Sequence, residues 1–170
     1  MVARDCSDTA DVENRIDKAG AAFGALRKPL FSSTSISFKA KSLVYTLLIL
    51  AILLYGAESW CLTEKLYNKL RCFQARCIRA MCRVNRWHTF QQRISSTELR
   101  TRVGIDSMDS YVTRRQLRWA GHVSRMPYRR LPRKMLSSWV RSKRPRGAPQ
   151  FTYGRMLRKS LKKADTEFHG

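Results

Sequence analysis

Between Lys41 and Glu58 the chain carries sixteen residues without a charge, and the stretch Leu43–Ala57 (LVYTLLILAILLYGA) is apolar on every helical face. No amphipathic surface element can have this pattern, so it constrains the fold more than any other feature. As a helix the sixteen residues extend about 24 Å, against about 30 Å for the hydrocarbon core of a bilayer. The length favours a central helix buried on all sides over a membrane span. A central helix needs others around it, and the flanking sequence supplies them. Val12, Ile16, Ala19, Phe23 and Leu26 recur at three- and four-residue steps, the spacing of an amphipathic helix. Asp8 and Asp11 suit its positive N-terminal end, Pro29 is expected to stop it, and Ser37 is placed to cap the apolar helix.

Downstream, the helical period continues. From Lys65 to Arg86, Leu66, Leu70, Phe73, Cys77, Met81 and Val84 form one stripe, and Lys65, Lys69, Arg76, Arg79, Arg83 and Arg86 form another. Ser95-Ser96-Thr97-Glu98 fits a capping box, and Gly104 is placed to end the helix it starts. Asp106 or Ser107 can cap a helix reaching Met126. There Val112, Leu117, Trp119, Ala120 and Val123 oppose Arg114, Arg115, Arg118 and Arg125. Pro132 is placed to open a helix with Met135, Leu136, Trp139 and Val140 inward. Arg141–Pro149 has the composition of an exposed basic linker. A last basic helix, Thr152 to Lys163, has Met156, Leu157 and Leu161 to bury. No segment alternates for long enough to form a sheet. The fold class is all-α, a helical bundle of about six helices with a basic, partly disordered C-terminal tail.

The charge is distributed unevenly. Residues 1–64 hold seven basic and seven acidic side chains, whereas residues 65–170 hold 27 against five, which accounts for the whole net charge of +22. A field of this kind repels itself unless a polyanion is near, so nucleic acid or an anionic membrane face is the expected partner. The nine cations Lys65, Lys69, Arg76, Arg79, Arg83, Arg86, Arg114, Arg115 and Arg118 are the candidate nucleic-acid-binding residues. They are expected to contact phosphates without regard to sequence, with Trp87 or Tyr111 available to stack on an unpaired base.

Catalytic signatures are missing from the sequence. No Asp-Asp pair is present, and nothing fits a P-loop, G-x-S-x-G, G-x-G-x-x-G or H-E-x-x-H. Cys77, Cys82 and His88 lack the spacing of a zinc finger. Of the five cysteines, Cys72, Cys77 and Cys82 fall along one helix, where a five-residue step of about 7.5 Å is too far for a disulfide. They read as small apolar residues in a reducing compartment, nuclear or cytoplasmic, and no secretory signal precedes the first helix. No catalytic residue, metal site or cofactor is expected.

Several strings together resemble one family. Ala21-Ala22-Phe23, Lys41, Tyr45, Leu53-Leu54-Tyr55-Gly56-Ala57-Glu58-Ser59-Trp60 and Arg76-Cys77-Ile78-Arg79 are similar to the region after the catalytic palm in non-LTR, CR1/RTE-like retrotransposon reverse transcriptases. So are Arg114-Arg115-Gln116-Leu117-Arg118-Trp119-Ala120-Gly121-His122-Val123, Arg125-Met126-Pro127, Arg130-Leu131-Pro132 and Lys143-Arg144-Pro145-Arg146-Gly147. The resemblance runs in order over residues 10–160, and departs from the family at Ala51, Ala148 and Tyr153. It implies a thumb-like domain over 11–89 built on the first three helices and a helical extension over 90–140; residues 1–10 are expected to be a disordered N-terminus, and 141–170 a basic linker and terminal helix, partly disordered. It also implies a grip on template–primer backbone, with an RNA–DNA hybrid or RNA as ligand, and a polymerase palm as partner. The family's catalytic aspartates lie upstream of the matched region, so the chain is not expected to be an enzyme as it stands. Two other readings remain open: a membrane-associated basic protein using residues 43–57, and a decayed open reading frame without function.

Overall fold

The computed structural model describes residues 8–137 and 153–168, and all regular structure there is helical. The chain divides into two units. The first comprises residues up to Tyr55 together with Glu64–Tyr111; the second comprises Gly56–Thr63 and the chain from Val112 onward. The division falls inside one helix, and Phe90, where the extension was expected to begin, lies within the first unit.

In the first unit, α1 (Thr9–Leu26) buries Val12, Ala19 and Phe23. Pro29 does not simply end it. The α-helix gives way at Leu26 to a π turn, Arg27–Phe31, with the proline inside. Proline has no N–H to give the helical ladder, and the wider turn spans it: the Ser32 N–H reaches the Arg27 carbonyl at 2.8 Å. The turn delivers Phe31 onto Phe23, with ring centroids 4.4 Å apart.

Ser37 caps α2 (Phe38–Val44), its Oγ accepting from the Ala40 N–H at 3.3 Å. The helical path continues through a π turn (Tyr45–Ile49) into α3 (Leu50–Leu53), so it starts where Ser37 places it and stops short of the end of the apolar run at Ala57. It is also buried on one side only. Tyr45, Ile49, Leu50 and Leu53 are enclosed, whereas Leu43, Leu47, Leu48 and Tyr55 are exposed. The reason is that α1 packs on α3 and α6 (Ser96–Val103) packs on α2, and no described element of this unit covers the opposite face. No helix among the described residues is long and apolar enough to cross a membrane. Lys41 is almost wholly enclosed, and its Nζ donates to the Ser33 carbonyl at 2.6 Å, tying the connector onto α2.

The long helix α4 (Glu64–Cys82) buries Leu66, Leu70, Phe73, Cys77 and Met81 as its periodicity demands, and adds Gln74 and Ile78. Gln74 Nε2 donates to the Asp106 carbonyl at 2.9 Å, so a buried amide anchors the loop beyond α6. α6 (Ser96–Val103) starts at Ser95, whose Oγ accepts from the Glu98 N–H at 3.0 Å, and ends at Gly104 with φ +74°. Ser107, rather than Asp106, caps α7 (Met108–Ser124) by accepting from the Ser110 N–H. Asp109, in the first turn of α7, receives Arg71 on both oxygens, 2.8 Å from Nε to Oδ2, while the same guanidinium also donates to Glu64 and Asn68. These bonds to Asp109 and Glu64 raise the arginine's pKa above its ordinary value. Burial, followed by the Asp109 charge, pushes the neighbouring Tyr67 hydroxyl up to about 12.

In the second unit, Gly56–Thr63 is held to α7 by Gln116, which is fully buried. Its Nε2 donates to the carbonyls of Ala57 (3.3 Å) and Trp60 (3.2 Å), and its Oε1 accepts from Ser160 Oγ. The two strings around Glu58-Ser59-Trp60 and Arg114-Arg115-Gln116 are thus folded against each other. Of the apolar face expected on this helix, Val112 and Val123 are buried, whereas Leu117, Trp119 and Ala120 are only half-buried. α8 (Leu131–Ser137) leaves Met135 exposed, contrary to its expected inward face. α9 (Tyr153–Phe168) extends beyond Lys163 and turns Ser160 inward, while Leu161 is exposed. Trp139, Val140 and the linker 141–149 lie outside the described residues.

Candidate nucleic-acid interface

From Lys65 to Thr97 the sequence has eight Lys or Arg residues and no Asp or Glu. Periodicity places its basic stripe on one helix through Arg86, and here the structure differs. α4 stops at Cys82, because Arg83 adopts φ +58°. The Val84 N–H reaches the Arg79 carbonyl (3.0 Å) and the Arg83 N–H reaches that of Ala80 (3.2 Å), the pair of bonds that closes a Schellman motif. Asn85 then accepts from the His88 N–H at 2.6 Å and opens α5 (Arg86–Gln91). α5 ends in the same way at Arg93, φ +50°, with Ile94 bonded to Thr89 and Arg93 to Phe90. Glycine is the usual residue at such positions, and a side chain there costs about 1 kcal/mol or more. Two arginines occupy them.

Folding the stripe back on itself gathers its cations. Lys69, Arg76, Arg79 and Arg86 line a cleft of about 670 Å³ against α1, which contributes Glu13 and Asp17. Four cations face two carboxylates, and Lys69 Nζ already donates to Glu13 Oε1. Arg76 lies over the Phe73 ring at 5.4 Å. Arg79 and Arg86 also border a second cleft, about 760 Å³, with Thr89, Phe90, Gln91, Arg93 and Ile94 and no acidic group. Arg79 reaches a third of about 430 Å³ beside Arg71 and Arg100. It is the residue common to all three.

Not every expected contact joins them. Lys65 and Arg83 are exposed but line none of these clefts. Arg114, Arg115 and Arg118 lie on the part of α7 belonging to the second unit, where Arg114 and Arg118 are exposed and Arg115 faces Glu58 at 3.6 Å. Tyr111 is committed to its own loop, since its hydroxyl accepts the Asp106 N–H at 3.2 Å. Trp87 is open to solvent, and Phe90 even more so, at 82 %. Periodicity missed Arg93 and Phe90 because the basic helix was extended only to Arg86. The absence of acidic residues up to Thr97 was the available signal.

Guanidinium groups spaced in this way can donate to phosphate oxygens, which is binding chemistry. The carboxylates of Glu64 and Asp109 are already engaged by Arg71. Among the described residues no three His, Cys, Asp or Glu side chains come together as a metal set. Burial pushes the Cys77 thiol up to about 12 and also raises Cys82. No protein-family model, curated protein or solved structure matches the chain.

Proposed function

We propose that this chain holds the sugar–phosphate backbone of nucleic acid, an RNA–DNA hybrid or RNA, and catalyses no reaction by itself. The observation that carries this reading is the pair of clefts sharing Arg79 and Arg86, one of which has three arginines and no acid. A polyanion is the ligand that such a surface stabilises, and fixed guanidinium groups suit phosphate better than a mobile ammonium. Kinship with the thumb and extension of a non-LTR retrotransposon reverse transcriptase is part of the same proposal. It rests on the strings quoted above, and a polymerase palm would be the natural partner. A nuclear or cytoplasmic setting belongs to the same proposal, with Cys72, Cys77 and Cys82 carried as thiols.

The test is fluorescence anisotropy with a labelled RNA–DNA hybrid. The double variant Arg79→Gln, Arg86→Gln is expected to weaken binding by about tenfold or more, since each neutralised phosphate contact releases counterions. Its circular dichroism should match that of the parent. Parent-like affinity in a folded variant would remove the assignment.

A further inference from the structure

We infer that α5 carries a base-stacking site for unpaired nucleotides, formed by Trp87 and Phe90 beside the arginines of the second cleft. The inference rests on the backbone-binding reading and goes beyond it by naming what part of a nucleic acid this corner takes. Trp87 and Phe90 are three residues apart on α5, so they are neighbours on the helix surface, and both are largely exposed. Phe90 lines the cleft that also holds Arg79, Arg86 and Arg93. Two chemistries are thus side by side: cations without a competing carboxylate, and open aromatic faces. The first selects a polyanion. The second selects a ligand with planar groups to lay on a ring, and only unpaired nucleotides present such faces, because a duplex keeps its bases stacked internally.

An anionic bilayer also favours arginine beside aromatic residues. The composition of α5 argues against it, since its six residues carry only two large apolar side chains, Trp87 and Phe90, among polar Arg86, His88, Thr89 and Gln91. Two rings beside fixed cations are enough for a base and its phosphate, whereas a helix lying on a bilayer buries a continuous apolar face.

Two labelled ligands are compared by anisotropy: a blunt RNA–DNA hybrid, and the same hybrid with a single-stranded extension of about eight nucleotides. The parent protein is expected to prefer the extended ligand by tenfold to a hundredfold, on the order of one or two stacked bases. The variant Trp87→Ala, Phe90→Ala should abolish the difference between the two ligands. Both side chains are exposed, so the core is untouched; equal melting temperatures check this. Equal binding of both ligands by the parent overturns the stacking site while leaving the backbone grip standing. Failure to bind either overturns both. A variant that keeps the preference shows that the bases lie elsewhere. If the substitutions instead abolish binding to phosphatidylserine vesicles and leave the preference intact, α5 is a lipid-contacting helix and the inference falls.

Discussion

Raising monovalent salt from about 50 to about 200 mM is expected to weaken binding of the RNA–DNA hybrid by about a thousandfold. The size of the effect follows from which cations are available. Of the eight between Lys65 and Thr97, Arg71 is engaged by Asp109 and Glu64, and Lys69 by Glu13. Lys65, Arg76, Arg79, Arg83, Arg86 and Arg93 remain; four of them line the clefts, and Lys65 and Arg83 are exposed outside them. Six phosphate contacts give a slope of about −5 in a plot of log affinity against log salt. The arginines of the second unit would steepen it only if the ligand reached them. Titration in a single buffer, with salt as the only variable, measures the slope. A slope shallower than about −2 would mean that this surface does not carry the ligand.

The second large effect is on stability. Phe73→Ala should destabilise the first unit by about 3–5 kcal/mol, because the ring is almost fully enclosed and its removal both loses transfer energy and leaves a cavity. Domains of this size have only about 5–15 kcal/mol in total. The ring packs beside Gly20 of α1, where an added Cβ would lie 3.8 Å from it, and Arg76 sits over its face. Removing it therefore loosens the wall between α1 and α4 that forms the first cleft, so hybrid binding should fall with the melting temperature. A thermal melt followed by circular dichroism should show a loss of about 15 °C or more. Phe90→Ala, at an exposed position, should hardly move it. A change below about 3 °C for Phe73→Ala would contradict the packing described.

Much of the fold was legible because helices advertise themselves locally. The apolar stripe of α4, the caps at Ser37, Ser95 and Ser107, and the stop at Gly104 all follow from three- and four-residue spacing and from side-chain chemistry within one turn. What was not legible depended on residues far apart or on backbone that the residue type disguises. Arg83 and Arg93 stand where glycine would have announced a break, so the basic stripe read as one straight helix. The Glu13–Lys69 and Glu58–Arg115 pairs join residues separated by most of a domain. Nothing in the helical spacing marks Gln116, yet its amide fills the core of the second unit, because the carbonyls of Ala57 and Trp60 need a donor there. The exposed side of the Leu43–Tyr55 run is the same lesson in reverse: hydrophobicity says that a face could be covered, not that anything in the chain covers it.

Cys72 and Cys77 stand on the same helix under opposite conditions, one exposed and the other enclosed with its thiol held protonated by burial. An electrophile added to the native protein therefore reaches the exposed thiol directly and must wait for the enclosed one. The rate at which Cys77 becomes alkylated therefore counts openings of the helix that carries Arg76 and Arg79, and any ligand that clasps that helix slows the clock.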